Sequence, residues 1–263
     1  MSRVISIASG KGGVGKTTIS ANLGIALSNL GWDVLVMDMD INMANLELIL
    51  GLEGKPVTLQ EVLSGKEDIY NAIYEGPGGV KIVPAGLSLP NLKYIKRERL
   101  EEVFDDLMGN VEILLLDSPA GLERDALDAM SLADEMILVT TSEVTSISDT
   151  LKTKLVADKM GIDILGVVIN REKSYDEFLS IEEIEAILEV PIISIIPENP
   201  KLICCFSSGD PIMMKEPGSK TSSSFNQLAS YLMGQPYQIN NRGFVSRFID
   251  SLLGNISIKS KRQ

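Results

Sequence analysis

An apolar run, Val4–Ala8, leads into Gly10-Lys11-Gly12-Gly13-Val14-Gly15-Lys16-Thr17-Thr18, and a helical pattern over Thr17–Leu30 follows without a spacer. Few folds accept glycines at 10, 12, 13 and 15 between a buried strand and a helix. Glycine lets a backbone curl through left-handed dihedrals and approach a ligand without a Cβ clash. Curled N–H groups form an anion nest, and a helix starting near Lys16 adds the positive end of its dipole. The spacing G-x-x-x-x-G-K-[ST] therefore predicts a phosphate cradle. Lys16 is expected to reach the β- and γ-phosphates, with the Thr17 hydroxyl on Mg²⁺. The expected ligands are ATP, ADP and Mg²⁺.

The rest of the chain repeats the strand–helix theme. Further apolar runs lie at Val34–Met37, Val80–Val83, Val111–Leu116, Glu135–Thr140, Ile164–Ile169 and Ile192–Ile196. Most lack strict alternation, as strands buried on both faces do. Thr58-Leu59-Gln60-Glu61 and Ser180-Ile181-Glu182-Glu183 read as capping boxes, and Gly31 as a helix stop. Arg97–Met108 sets Leu100, Val103, Phe104 and Leu107 on one helical face. The expected fold is α/β: a three-layer P-loop NTPase fold, mostly a parallel twisted sheet with helices on both faces. Its ligand belongs beyond the carboxyl ends of the strands. The expected domains are 1–234, a polar linker at 235–241 and a C-terminal segment at 242–263.

Acids stand where that fold would place them. Asp38-Met39-Asp40 follows the second run, and Leu114-Leu115-Leu116-Asp117-Ser118-Pro119-Ala120-Gly121 is an apolar strand ending in an acid. Lys11 is not required to hold phosphate within one subunit. Together, Gly10–Thr18, the Asp38–Leu46 segment and Asp117–Gly121 resemble the MinD/ParA family of deviant Walker A ATPases, over about residues 2–233.

That resemblance implies roles. Lys11 would reach across a nucleotide-sandwich homodimer to the partner's ATP. Asp40 would position the attacking water and stand with Thr17 and Asp117 as a metal residue, and Asp38 would support the first switch near Mg²⁺. Asn45 matches an Asn of that segment. Asp117 would hold Mg²⁺ through water, and the Gly121 amide would sense the γ-phosphate. Glycines 10, 12, 13 and 15, with Val14, Lys16, Thr17 and Thr18, would wrap the phosphates. Asn170-Arg171 would meet the adenine edge, and Pro197 would sit in the later adenine-side loop. Glu143 and Asp149 would restrain Lys11 at rest.

The chain has no histidine, the commonest general base. Phosphoryl transfer does not need one, because positioning and cationic charge stabilise its loose transition state.

Composition narrows the partners. The 263 residues carry a formal charge of −12, yet 242–263 holds five basic residues and one acid. An acidic body gives no strong nucleic-acid signal, while the basic end suits an anionic surface. Two adjacent cysteines, Cys204 and Cys205, make no disulfide framework, which fits a reducing compartment. No signal-peptide pattern opens the chain, and no apolar stretch approaches ~20 residues. Phe244, Val245, Phe248, Ile249, Leu252 and Leu253 share one half of a helical wheel. Two readings stand: an interfacial helix on a membrane, or a last helix docked on the protein's own core. The family resemblance favours the first.

The expectation is an ATP-dependent, dimerising, cytoplasmic ATPase, peripheral at the inner face of the cell membrane. Unidentified division or polarity proteins would read it. Rival classes are a DNA-partitioning ATPase like ParA, a metallocofactor carrier of the same superfamily, and a metabolic P-loop enzyme. The carrier reading needs spaced cysteine pairs, which Cys204-Cys205 are not. The extra Lys11 and the amphipathic end argue against the metabolic enzyme.

Overall fold

A computed structural model describes residues 2–87, 94–96, 98–172 and 179–235. Its elements are β1 (Arg3–Ala8), α1 (Lys16–Asn29), β2 (Val34–Asp38), α2 (Leu46–Ile49), α3 (Leu59–Leu63), β3 (Tyr74–Glu75), β4 (Lys81–Val83), α4 (Arg99–Leu107), β5 (Ile113–Asp117) and α5 (Arg124–Ser131). They continue with β6 (Glu135–Thr140), α6 (Val144–Met160), β7 (Asp163–Glu172), α7 (Ile181–Leu188), β8 (Ile192–Pro197), α8 (Lys201–Ser208), α9 (Ile212–Lys215) and α10 (Lys220–Leu232).

One eight-stranded sheet runs β3-β4-β2-β5-β1-β6-β7-β8. Every pairing is parallel except β3 with β4. Alternate residues of the inner strands enter different cores. Ile5, Ile7, Val34, Val36, Ile113 and Leu115 pack with α1 and α10 on one face. Val4, Leu35, Met37, Leu114 and Leu116 pack with α3 and α4 on the other. A third cluster joins β6 and β7 to α6 and α7. Burial on both faces explains the unbroken apolar runs.

The local signals act as expected. Thr58 and Ser180 each open a helix with a two-way capping box. Gly31, at φ 93, lets Trp32 N–H reach the Leu27 carbonyl and its own N–H reach Ser28, closing α1 in a Schellman turn. Two strands shift at both ends. The expected strand at 111–116 begins two residues later and ends on Asp117, and the one at 164–169 extends to Asp163–Glu172. The short strand β3 was not anticipated: Tyr74–Glu75 is too brief to leave a periodic pattern, and its pairing with β4 is decided by chain reversal through Gly76. The segment 236–263, which contains most of the linker and the whole amphipathic end, lies outside the described residues.

Candidate functional site

The order β5-β1-β6 places the loop after β1 between two strand ends, where helices on either face leave a crevice. The loop fills it. Gly13 and Gly15 adopt left-handed dihedrals, φ 78 and φ 98. Gly15 is the residue from which α1 springs. A Cβ on Gly10 would stand 2.1 Å from the Asp149 carbonyl oxygen, so glycine there is forced by the close approach of α6. Lys11, Gly12 and Gly13 are exposed, Thr17 and Thr18 half-buried, and Val14 is packed into the core.

Behind the loop lie the charges. Asp38 and Asp117 end neighbouring strands and are partners in register. Lys16, 8% exposed, sits close enough to feel both Asp117 and Asp40. Burial lowers the Lys16 ammonium pKa, and the two carboxylates oppose that. Burial pushes Asp117 up to about 6, against the pull of Lys16 and the hydroxyls of Thr17 and Ser20. Burial and the Asp117 charge push Asp38 well above the usual carboxylate range, against the amides of Asp40 and Leu46.

Asp38 organises the loop after β2. Its Oδ1 accepts the Asp40 N–H at 2.9 Å, and its Oδ2 accepts the N–H groups of Asn45 at 3.3 Å and Leu46 at 3.2 Å. Asp40, half-buried, accepts the Met43 N–H at 3.0 Å. Asn45 turns its amide to the Met43 carbonyl.

These donors suit Mg²⁺. Buried Asp117 and half-buried Asp40 both act on the one Lys16 ammonium, an excess of carboxylates that a hard dication would relieve. Thr17 and Asp117 could supply the few oxygens Mg²⁺ takes from protein, with water and phosphate completing its shell. Among the described residues no cluster of three or more acidic, histidine or cysteine side chains forms a self-sufficient metal cage.

Next to the loop opens a cleft of about 360 Å³. Gly15, Thr18, Asn170 and Arg171 form its inner wall, and Leu202, Ile203 and Phe206 of α8 an apolar side. Asn170, 3% exposed, donates its amide to the Val14 carbonyl at 2.7 Å. Its amide oxygen thus faces away from the loop's own acceptor. A polar edge, an apolar wall and an adjoining anion nest together suit a nucleoside phosphate.

A family model, the CobQ/CobB/MinD/ParA nucleotide binding domain, matches residues 5–212. The chain belongs to this family, and within it to the MinD type. An uncharacterised ATP-binding protein of Methanocaldococcus jannaschii is 47% identical over 258 residues, covering 97% of this chain and 98% of that protein. The cell-division ATPase MinD of Pyrococcus furiosus superposes with a TM-score of 0.85 at 39% identity, over 89% of this chain and 99% of that one. The septum site-determining protein MinD of Pyrococcus horikoshii, complexed with Mg-ADP, gives 0.84 at 38% identity over 88% and 96%.

Viewed as a MinD-type site, the structure draws together most of the expected residues. Lys11 meets Glu143 at 3.6 Å, with both side chains about half exposed. Asp149 does not join them: its carboxylate is taken by Lys152 at 2.9 Å, one helical turn away on α6. The Gly121 amide is occupied too, donating to the Ser9 carbonyl at 2.9 Å. Pro197 is absent from the cleft lining, because it closes β8 opposite Glu172. The next residues, Glu198, Asn199 and Pro200, supply that wall instead.

Sequence reasoning missed Ser20 and the α8 wall. Ser20, fully buried, holds Asp117 Oδ1 at 2.9 Å. Its position one turn beyond Lys16 was the available signal. Nothing local marked Ile203 and Phe206, which are exposed at 72% and 44% on a short helix. Cys205 is buried in the core and Cys204 exposed, so the two thiols do not face one site.

Proposed function

We propose that this chain is an ATP-driven switch of MinD type. Two copies close over bound ATP, hydrolyse it to ADP and phosphate with Mg²⁺, and associate reversibly with an anionic membrane surface through 242–263. The homodimer would act at the inner face of the cell membrane, where unidentified division or polarity proteins read it to place the division site.

The observation that carries this reading is the contrast between two lysines. Lys16 is buried beside Asp117 and committed to its own loop. Lys11 is exposed, and its ion pair with Glu143 is long and solvent-accessible. An exposed pair of this kind is worth about 0–1 kcal/mol. Lys11 is therefore cheap to release toward a second subunit.

In this scheme the loop amides, Lys16 and Thr17 orient the triphosphate, and Asn170, with Arg171 beside it, meets the base. Asp40 at the mouth of the site aligns a water for in-line attack on the terminal phosphorus. Thr17 and Asp117 would hold Mg²⁺, which would supply charge neutralisation on the phosphate oxygens. Lys11 of the facing copy adds positive charge as the bond to the leaving ADP oxygen lengthens. Charge supplied in trans is worth roughly 10³–10⁵ in rate in related phosphoryl transfers. The Gly121 amide would exchange the Ser9 carbonyl for the γ-phosphate, linking nucleotide state to the second switch.

Light scattering on Asp40→Ala, which should bind ATP without turning it over, tests the proposal. Mass doubling with ATP and not with ADP is expected. A monomer under both conditions would overturn it.

A further inference from the structure

A second cavity, of about 320 Å³, lies beyond the first switch, between α2, the start of α3 and the strand exit at 86–87. Glu47, Lys55, Thr58 and Glu61 line it. Glu47 is 2% exposed, and its Oε1 has no hydrogen-bond partner. A buried carboxylate oxygen left bare costs several times what an ordinary hydrogen bond contributes, so it marks a place where something binds.

Neighbouring groups narrow the chemistry. Gln60, 1% exposed, turns its NH₂ toward the carbonyls of Gly86, at 3.0 Å, and Ile41, at 3.5 Å. Flipping that amide would set oxygen against oxygen, so Oε1 is fixed as a second bare acceptor. Thr58 and Glu61 are already spent on the capping box. Lys55 turns its ammonium over the Tyr74 ring, 5.0 Å from the centroid. The bare atom on the cavity's lining residues is thus an acceptor, the Glu47 carboxylate oxygen, while Gln60 lies behind the lining. The cavity is far larger than the ~30 Å³ share of a water and lies near the lower limit of small-molecule sites. One bare carboxylate is too little for a divalent metal, which takes six or more oxygens.

We propose that this cavity binds an organic ammonium ion, with Glu47 as its counter-ion. The site is distinct from the nucleotide crevice and does not depend on the ATPase reading. It adjoins the switch, since Leu46, next to Glu47, gives its N–H to Asp38. Occupancy would brace the short helix whose first amides hold that carboxylate.

The test is thermal unfolding of the full chain without nucleotide, at matched ionic strength. The probes are 1,4-diaminobutane, Nα-acetyl-lysinamide and, as a cation without N–H groups, tetramethylammonium. Wild type should gain a few °C with a primary ammonium probe and nothing with tetramethylammonium. Glu47→Gln, which keeps shape and removes charge, should start higher and lose the response. A response to the lysinamide without one to the diamine would assign the ammonium to a lysine of a partner protein. A response to both would assign it to a free amine. No primary-ammonium response in wild type, or an equal one in Glu47→Gln, would overturn the site. A response appearing only in Lys55→Met would do so as well, by showing that Lys55 itself is the occupant.

Discussion

Asp38 and Asp117 stand opposite each other at the ends of adjacent parallel strands, both almost wholly without solvent contact. Burial raises both pKa values; the Asp117 charge raises Asp38 further, and the Asp40 charge raises Asp117. The pair stores an electrostatic cost in the ligand-free protein, which cation binding at the crevice would release.

A pH dependence follows for the ligand-free protein. Asp117 is raised from 3.8 to about 6, so between those values the folded chain holds a proton that the unfolded chain has lost. Stability from this group is full below about pH 4 and declines as pH rises to about 6. The shift is equivalent to about 3 kcal/mol. Asp117→Asn should raise apo stability at pH 7 by an amount of that order and flatten its fall between pH 4 and 6. Denaturant titration at several pH values checks both. The same variant should lose Mg²⁺-dependent tightening of ADP binding, read by calorimetry with and without chelator.

Lys11→Ala should leave monomer folding and ADP affinity nearly unchanged, since it gives up only an exposed ion pair. Its turnover should become independent of protein concentration, whereas the wild-type rate per chain should rise with concentration. Equal, concentration-independent rates for the two proteins would rule out action in trans.

Asn170→Ala removes the donor to the Val14 carbonyl, leaving that oxygen without its 2.7 Å partner. A lost buried partner costs about 1–3 kcal/mol. Folding stability should fall by that amount, and nucleotide affinity should fall with it as the loop loses its anchor beside the cleft. Gly15→Ala should be worse. Its Cβ would stand 2.2 Å from the Asn170 amide nitrogen, on a backbone at φ 98. Fluorescent-nucleotide binding ranks the two.

Removal of 242–263 should abolish ATP-dependent sedimentation with anionic liposomes while sparing ATP hydrolysis in solution. Two copies of the end in a dimer reinforce each other, because the second docking is intramolecular. Sedimentation that survives the truncation would exclude this segment as the anchor.

Elements with a strong local period were legible in the chain itself. Ile113–Asp117 showed as an apolar run because both faces of β5 are covered, and α3 showed through its capping box. Tyr74–Glu75 did not show, since a two-residue edge strand has no period to read. In the site, the glycine spacing exposed the phosphate loop, and an acid closing an apolar run exposed Asp117. Ser20 and Phe206 carried no comparable mark, because their roles come from neighbours distant in sequence.

The order of residues alone thus dictates the glycine-rich turn, the helix behind it and the acids closing the strands, since backbone freedom, capping and periodic burial act over a few positions. Folding in three dimensions decides which partners each group meets. It pairs Lys11 with Glu143 and not Asp149, ties the Gly121 amide to Ser9, and leaves Glu47 bare in a cavity. Contacts of that kind depend on strand order and register, which bring together residues separated by long stretches of chain and which no local pattern encodes.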